Sequence, residues 1–425
     1  MQIVIQCAQL IDGRGGEPLR DAVVVVDGQH LRYIGPARGT SWSPDARIID
    51  LPGSTVLPGL IDVHVHLMND GGPAAKNRVL GGYPGSAGSL TLIGYHNGRR
   101  ALDAGYTTLR DCHAPYTTSI DLRDAIEGGR VLGPRLRVCG QGLCITGGHM
   151  DKTTLPDDVT GRVGICDTPD SFRQAVRYWV KMGADFIKLN SDVGSWRNPA
   201  VPSVQEMSFD EMAAACTEAR RFGLHVAAHT SGGPPIEDAI LAGVTSIEHG
   251  HWLTDRAIEL MVEHGTYYVP TLIVNTRNFD YDRETLGVSE EGWDWLRRAY
   301  DAKWHSLERA RAAGVKIAAG SDAGFLVSHG ENACELVELV KGGFSPLEAI
   351  TAATKTAADL LGLGDQIGTL EAGKLADVLV VDGDPLEDIS ILTKADRIAY
   401  VLQNGRPVKC ESDHRSKWER THEPS

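Results

Sequence analysis

No two cysteines of this chain are spaced as CxxC, and the eight present (Cys7, Cys112, Cys139, Cys144, Cys166, Cys216, Cys334, Cys410) are scattered. A disulfide framework is not expected in a chain this large and hydrophobic, nor is a thiolate zinc site; the thiols read as reduced and mostly buried. Long apolar runs are also missing. Nowhere does the sequence hold the roughly 18 consecutive apolar residues that a spanning helix needs. The opening, Met1-Gln-Ile-Val-Ile-Gln-Cys-Ala, lacks a basic n-region and a long apolar core, so no signal peptide is expected. Basic charge is in short supply, with 42 Lys and Arg against 56 Asp and Glu, a net charge of −14. Such a surface repels nucleic acid and anionic lipid. The expectation is a soluble, cytoplasmic protein whose partner is a small molecule, with no nucleic acid and no membrane.

What is plentiful is glycine, 48 residues spread over the whole length. Its placement shows a repeat. A helical stretch ends in glycine and an apolar strand starts at once, around Gly105, Gly183, Gly223, Gly243, Gly265 and Gly314. Glycine just past a helix supplies the left-handed residue that caps the last turn. Adding strands at 61–66 and 136–140 gives eight strands alternating with helices. That alternation implies a parallel sheet, and eight is the number that closes a (β/α)8 TIM barrel. The two ends differ from this middle. Short β-branched runs at 3–5, 22–26, 31–34, 376–381 and 398–402, closed by turns such as Asp27-Gly28 and Asn404-Gly405, predict strands. The fold class expected is therefore α/β. A small β-sandwich domain is built from 1–56 and 356–410, a catalytic barrel from 57–355, and a charged surface tail from 411–425.

In such a barrel the active site lies at the C-terminal strand ends. Strand 1 ends in His64-Val-His66, and side chains two apart share a face, so both imidazoles can chelate one metal. Later strands end in Lys188, His229, Glu248-His249 and Asp322. A lone strand-end histidine is ordinary. Four histidines, a lysine and an aspartate ending five strands of one barrel read as a ligand cluster.

These residues resemble the metal-dependent amidohydrolase superfamily and, within it, the imidazolonepropionase-related, prolidase-like (Xaa-Pro) dipeptidase group. The resemblance runs through Leu57-Pro-Gly-Leu-Ile-Asp-Val-His-Val-His66, Phe186-Ile-Lys-Leu189, Ala228-His229, Glu248-His-Gly250, Gly320-Ser-Asp-Ala-Gly324 and Gly368-Thr-Leu-Glu-Ala-Gly-Lys-Leu-Ala-Asp-Val378. It implies two divalent metals, one held by His64, His66 and Asp322 and the other by His229 and His249. Lys188 bridges them as a carbamate. A free ammonium between two dications would be expelled, whereas a carbamate offers two anionic oxygens. Zinc suits nitrogen-and-oxygen ligation, as cobalt or manganese would. The resemblance further implies a shared hydroxide attacking a C–N carbonyl, with Asp322 moving the proton to the leaving amine. A homo-oligomer is expected on the same ground. Deaminase-like and imidazolonepropionase-like branches use one metal and lack the bridging lysine, so Lys188 argues against both.

Around the ligand set, His149 in Gly147-Gly-His149 is expected to polarise the carbonyl or touch substrate, and His251, Tyr268 and His329 to bind substrate. Tyr267 and Tyr268 cannot both face inward, and Tyr268 is preferred. Arg110-Asp111 and His113 could line the pocket or form a structural ion pair, and the structural reading is preferred. His96, His225, His264 and His305 read as non-catalytic. Residues 151–167 are expected to loop over the mouth. Arg197 is a candidate partner for a substrate carboxylate. The substrate is then an N-acyl amino acid or dipeptide. If no cation lines the pocket, a neutral carbamate, phenylurea, thiocarbamate or amide-linked toxin fits better. A scaffold without enzyme activity is disfavoured because all the ligand types are present.

Overall fold

The computed structural model describes residues 2–72, 85–151, 164–193 and 203–410. The chain divides into two compact units, one of residues 1–61, 100–108 and 344–425, the other of 62–99 and 109–343.

The first unit carries a mixed sheet of seven strands, in the spatial order Arg406–Lys409, Ile398–Gln403, Val378–Asp382, Arg47–Pro58, Gln2–Leu10, Leu19–Asp27 and His30–Pro36. It is one continuous sheet where a sandwich of two was expected. The reason is the Arg47–Pro58 strand, which sequence reading missed. Its first part pairs in parallel with Gln2–Leu10, and Ser54 to Pro58 pair antiparallel with Val378–Asp382. One long strand thus joins the N-terminal and C-terminal pieces. Alternate residues of these strands (Ile3, Ile5, Val24, Val26, Val378, Val380) fill an apolar core. Asn404 and Gly405, both at positive φ, turn the last hairpin.

The helix-to-strand repeat behaves as its chemistry predicts. All six repeat glycines have positive φ, from 68° at Gly265 to 101° at Gly243. The helix Pro169–Met182 shows the full set of stop and start signals. Thr168 and Ser171 form a capping box, Pro169 sits in the first turn, and left-handed Gly183 ends it. Ser208 with Glu211 does the same for Phe209–Arg221. The strands following these helices make a parallel sheet in the order Tyr267–Val269, Ser246–Trp252, His225–Gly232, Phe186–Asn190. The strands Leu60–Val65, Tyr106–Asp111 and Arg135–Val138 form another, in that order. The strand expected after Gly314 survives only as isolated bridges, Tyr268 to Ile317 and Val65 to Ala323, because the chain there is short and turns left-handed at Asp322.

Candidate metal centre and active site

Four strands and one turn place the candidate residues. His64 lies inside the Leu60–Val65 strand with His66 one residue past it, Lys188 in Phe186–Asn190, His229 in His225–Gly232 and His249 in Ser246–Trp252. Asp322 is carried by the turn 320–324, and here glycine is required. A Cβ on Gly320 would sit 2.8 Å from that of His64, and one on Gly324 would sit 2.9 Å from that of His66. The two glycines let the Asp322 turn close onto both histidines, and Asp322 N donates to His64 O at 2.8 Å.

The result is a compact cluster. His66 Nε2 lies 3.1 Å and His64 Nε2 3.7 Å from Asp322 Oδ1. Ring centroids of His64 and His249 are 5.0 Å apart, those of His229 and His249 4.5 Å, and those of His149 and His229 4.1 Å. Candidate ligand atoms of His64, His249 and Asp322 all lie within 4.8 Å of one another. Lys188 Nζ is buried among them without a hydrogen-bond partner. A buried ammonium with no acceptor is costly by itself. The donor set therefore fits divalent cations: imidazole nitrogens, a carboxylate, and a lysine amine that bonds to nothing in the protein.

The electrostatics agree. Burial, reinforced by the nearby Lys188 charge, pushes the His64 imidazole down to about 4. Burial and neighbouring cationic groups push His229 and His249 well below the ordinary histidine value. All three present neutral lone pairs, the form that binds metal. Burial alone would raise Asp322, but its hydrogen bond with His66 and the adjoining cationic groups overcome that and hold it below the usual aspartate value.

A surrounding layer of partners holds the candidate ligands. His64 Nδ1 is 2.7 Å from Glu248 Oε2. Glu248 also accepts from Arg110 Nη2 at 2.8 Å and from Ser246 Oγ at 2.5 Å. Burial would raise the Glu248 carboxyl, but Arg110 and His64 hold it well below the usual range. Arg110 was read beside Asp111; its ion partner is Glu248 instead. Glu248 and His249 are neighbours on one strand, yet both reach His64. That breaks pleat alternation, and His249 does so by adopting φ 72°. Asp62 accepts from His64 N (3.0 Å), Ser321 Oγ (2.5 Å) and Asn332 Nδ2 (2.7 Å), fixing strand 1 against the Asp322 turn. Asp192 stands 3.6 Å from His229 Nε2 and accepts from Ser231 N. Sequence reading missed Glu248, Asp62 and Asp192 as partners; the signal available was a carboxylate one or two residues from a ligand, or two past Lys188's strand mate Asn190.

A cavity of about 470 Å³ opens onto this cluster. Its polar lining includes the candidate ligands with His113, His149 and His251, and its apolar lining includes Val274, Leu286, Val288, Trp295, Phe325 and Leu326. His149 and His251 both line it, the His251 ring centroid lying 5.6 Å from that of Trp295. Tyr268 and His329 do not, which corrects their assignment as substrate contacts. The Tyr268 hydroxyl donates towards the carbonyls of His249 (3.1 Å) and Gly250 (2.9 Å), bracing the left-handed turn. His329 Nε2 contacts the carbonyls of His66 and Asn69 at 3.2 and 3.1 Å, bracing the chain after strand 1. His113 lines the cavity but accepts from Gly142 N at Nδ1, 2.9 Å, so its structural role stands beside the lining one. Arg197 and residues 152–163 lie outside the described residues.

Comparison with known proteins decides the family. The model of the amidohydrolase family matches residues 55–408. The chain belongs to the amidohydrolase family. This amidohydrolase is 31% identical to the ochratoxinase of Aspergillus niger over 434 aligned positions, covering 96% of this chain and 86% of that one. It is 24% identical to the imidazolonepropionase of Salinispora arenicola, covering 93% of this chain and 95% of that protein. Among solved structures it resembles a Xaa-Pro dipeptidase with methionine bound in its active site, at a TM-score of 0.85 and 31% identity, over 96% of this chain and all of that one. Membership makes the protein a hydrolase of C–N bonds on a TIM-barrel-like α/β fold, of a family that is generally metal-dependent. Among the described residues no helix is long and apolar enough to cross a membrane.

Proposed function

We propose that this amidohydrolase is a binuclear hydrolase of an amide C–N bond, acting on N-acyl amino acids or dipeptide-like substrates. One observation carries the reading: Lys188 Nζ, buried and without a hydrogen-bond partner, amid four histidines and Asp322. His64, His66 and Asp322 would hold one divalent ion and His229 and His249 the other, with Lys188 as a carbamate between them. Zinc is the default, cobalt or manganese the alternatives. Such ions, when bound, lower the pKa of water and polarise a carbonyl. The chain's own work is then proton handling and orientation. Asp322 takes the proton from water and returns it to the leaving amine nitrogen, and its lowered pKa keeps it ionised to do so. His149, its ring centroid 4.1 Å from that of His229, faces the substrate carbonyl from the cavity side. The apolar wall excludes water and seats an apolar side chain.

The supporting backbone reading is a closed (β/α)8 barrel over 57–355. Its support is three backbone hydrogen bonds between successive segments, Asp185 N to Val138 O, Tyr268 N to Lys316 O and Val63 N to Ala319 O, which are contacts that a closed barrel would require. The remaining parts are a small β-domain over 1–56 and 356–410, a cytoplasmic location and a homo-oligomer, carried by composition and resemblance.

A second reading keeps the metals and changes the substrate to a neutral carbamate, phenylurea, thiocarbamate or amide-linked toxin. Its support is the cavity wall, where the described residues include no arginine and no lysine besides Lys188. The test is hydrolysis of a mixed panel by metal-replete protein, pairing N-acyl amino acids and Xaa-Pro dipeptides with aryl carbamates, phenylureas and aryl amides. Cleavage confined to free carboxylates supports the first reading. Cleavage of the neutral compounds supports the second, and no cleavage by metal-loaded protein refutes both.

A further inference from the structure

A strained turn stands directly behind His249. Thr271 has φ 48° and ψ 57°, a left-handed conformation that a β-branched residue rarely adopts. Glycine would sit there freely, yet the position holds threonine, and the threonine hydroxyl lies 2.8 Å from His249 Nδ1. Two buried charges grip the same turn. Lys303, from the helix Glu290–Ala312, donates to Pro270 O at 2.5 Å, Thr271 O at 3.2 Å and Asn275 Oδ1 at 3.1 Å. Glu335, from the helix Cys334–Lys341, accepts from Leu272 N at 2.9 Å and Ile273 N at 2.8 Å. Each of these charged residues is 1% exposed. Two consecutive carbonyls and the two following amides are therefore held by side chains. Buried charges of this kind are poor stabilisers compared with apolar packing, so their presence calls for a local reason.

We propose that Thr271, clamped by Lys303 and Glu335, is a positioning residue for His249. Its Oγ1 accepts a hydrogen bond from Nδ1–H, and this fixes the imidazole in the tautomer whose Nε2 lone pair faces a divalent cation. The strain at Thr271 is retained because glycine, which would relieve it, has no acceptor to offer. The Lys303 helix also contributes Gly292, Trp295 and Leu296 to the cavity wall. The helix that carries Lys303 thus bears on both His249 and the cavity lining. The inference rests on reading His249 as a metal ligand.

The test compares Thr271→Val, Thr271→Ser and Lys303→Met in the full chain. Zinc affinity is read by competition with a chromophoric chelator, and bound metal by elemental analysis. Thr271→Val is expected to weaken one of two zinc sites by about 10–100-fold and leave the other unchanged. Thr271→Ser, which keeps the hydroxyl, is expected to bind as the wild type does. Lys303→Met is expected to weaken the same site by a smaller factor; if that variant does not fold, the Thr271 pair decides alone. Wild-type affinity at both sites in Thr271→Val overturns the inference while leaving the metal reading intact. So does a serine variant as weak as the valine one, since packing rather than the hydroxyl would then be responsible. A wild-type protein that takes up no divalent ion overturns the metal reading, and this inference with it.

Discussion

Strands of similar composition bury opposite things in the two units of this protein. In the seven-stranded sheet, residues such as Ile3, Ile5, Val24, Val56 and Val380 close on one another, and the core is hydrocarbon. In the second unit the apolar strands also carry His64, Lys188, Glu248 and His249, which are buried together with Asp322 from a turn. The first arrangement gains stability from every contact. The second places like and unlike charges out of water, which stabilises little unless each is paired. The teaching is that this chain separates stability from chemistry by region.

The largest effect should come from attacking the charged region at its centre. Lys188→Ala is expected to lower kcat by more than the roughly 100-fold that losing an outer partner of a ligand costs, with the melting temperature little changed. Partial rescue by short carboxylic acids, which can replace a carbamate, is expected in the same assay. Near-wild-type turnover would remove the bridging role.

Charge and hydrocarbon can next be compared directly. Glu248→Ala leaves Arg110 buried without its 2.8 Å ion partner. It is expected to cost about 3–5 kcal/mol in denaturant unfolding and to lower metal affinity as well. Ile5→Ala, in the apolar core, is expected to cost a similar 2–5 kcal/mol or so while leaving kcat per folded molecule unchanged. A drop in kcat for Ile5→Ala, or none for Glu248→Ala, would break the separation.

The smallest effect sharpens the comparison through pH. Burial raises the thiols of Cys7 and Cys216, one in each unit, from 9.0 to about 12. A raised folded pKa means the folded protein holds the proton that the unfolded chain releases. Stability from this source is present below about pH 9 and is lost as pH rises from there towards 12, by about 1.4 kcal/mol per pH unit for each such thiol. Melting temperatures measured from pH 8 to 10.5 should therefore fall, and replacing Cys216 by alanine should lessen the slope. A flat profile would show that the thiols are not sealed from water.

Local chemistry was legible wherever it repeats or sits at a fixed offset. The glycine after each helix and the His-Val-His at the end of strand 1 announce themselves within a few residues. Those signals located the strand ends, and hence the ligand candidates. They also failed in an instructive way at Arg47–Pro58, whose Pro52-Gly53 interrupts a run that the sheet nevertheless continues through both neighbours. Tyr268 and His329 looked like substrate contacts because they lie near the right strand ends. Only the tertiary structure shows the Tyr268 hydroxyl and His329 Nε2 turned to backbone carbonyls.

By itself, then, the sequence determined the alternation of helix and strand, the apolar character of the first unit, and which residue types end each strand. Those are properties of neighbours along the chain, where periodicity and turn chemistry act over a few residues. The tertiary structure alone decided that Glu248 belongs to His64 and to Arg110, that Thr271 stands behind His249, and that Val274 to Leu296 supply much of the apolar cavity lining. The partners of Glu248 come from 184 and 138 residues away. No local pattern encodes such pairs, because a buried charge selects its partner through space, by the cost of being left without one.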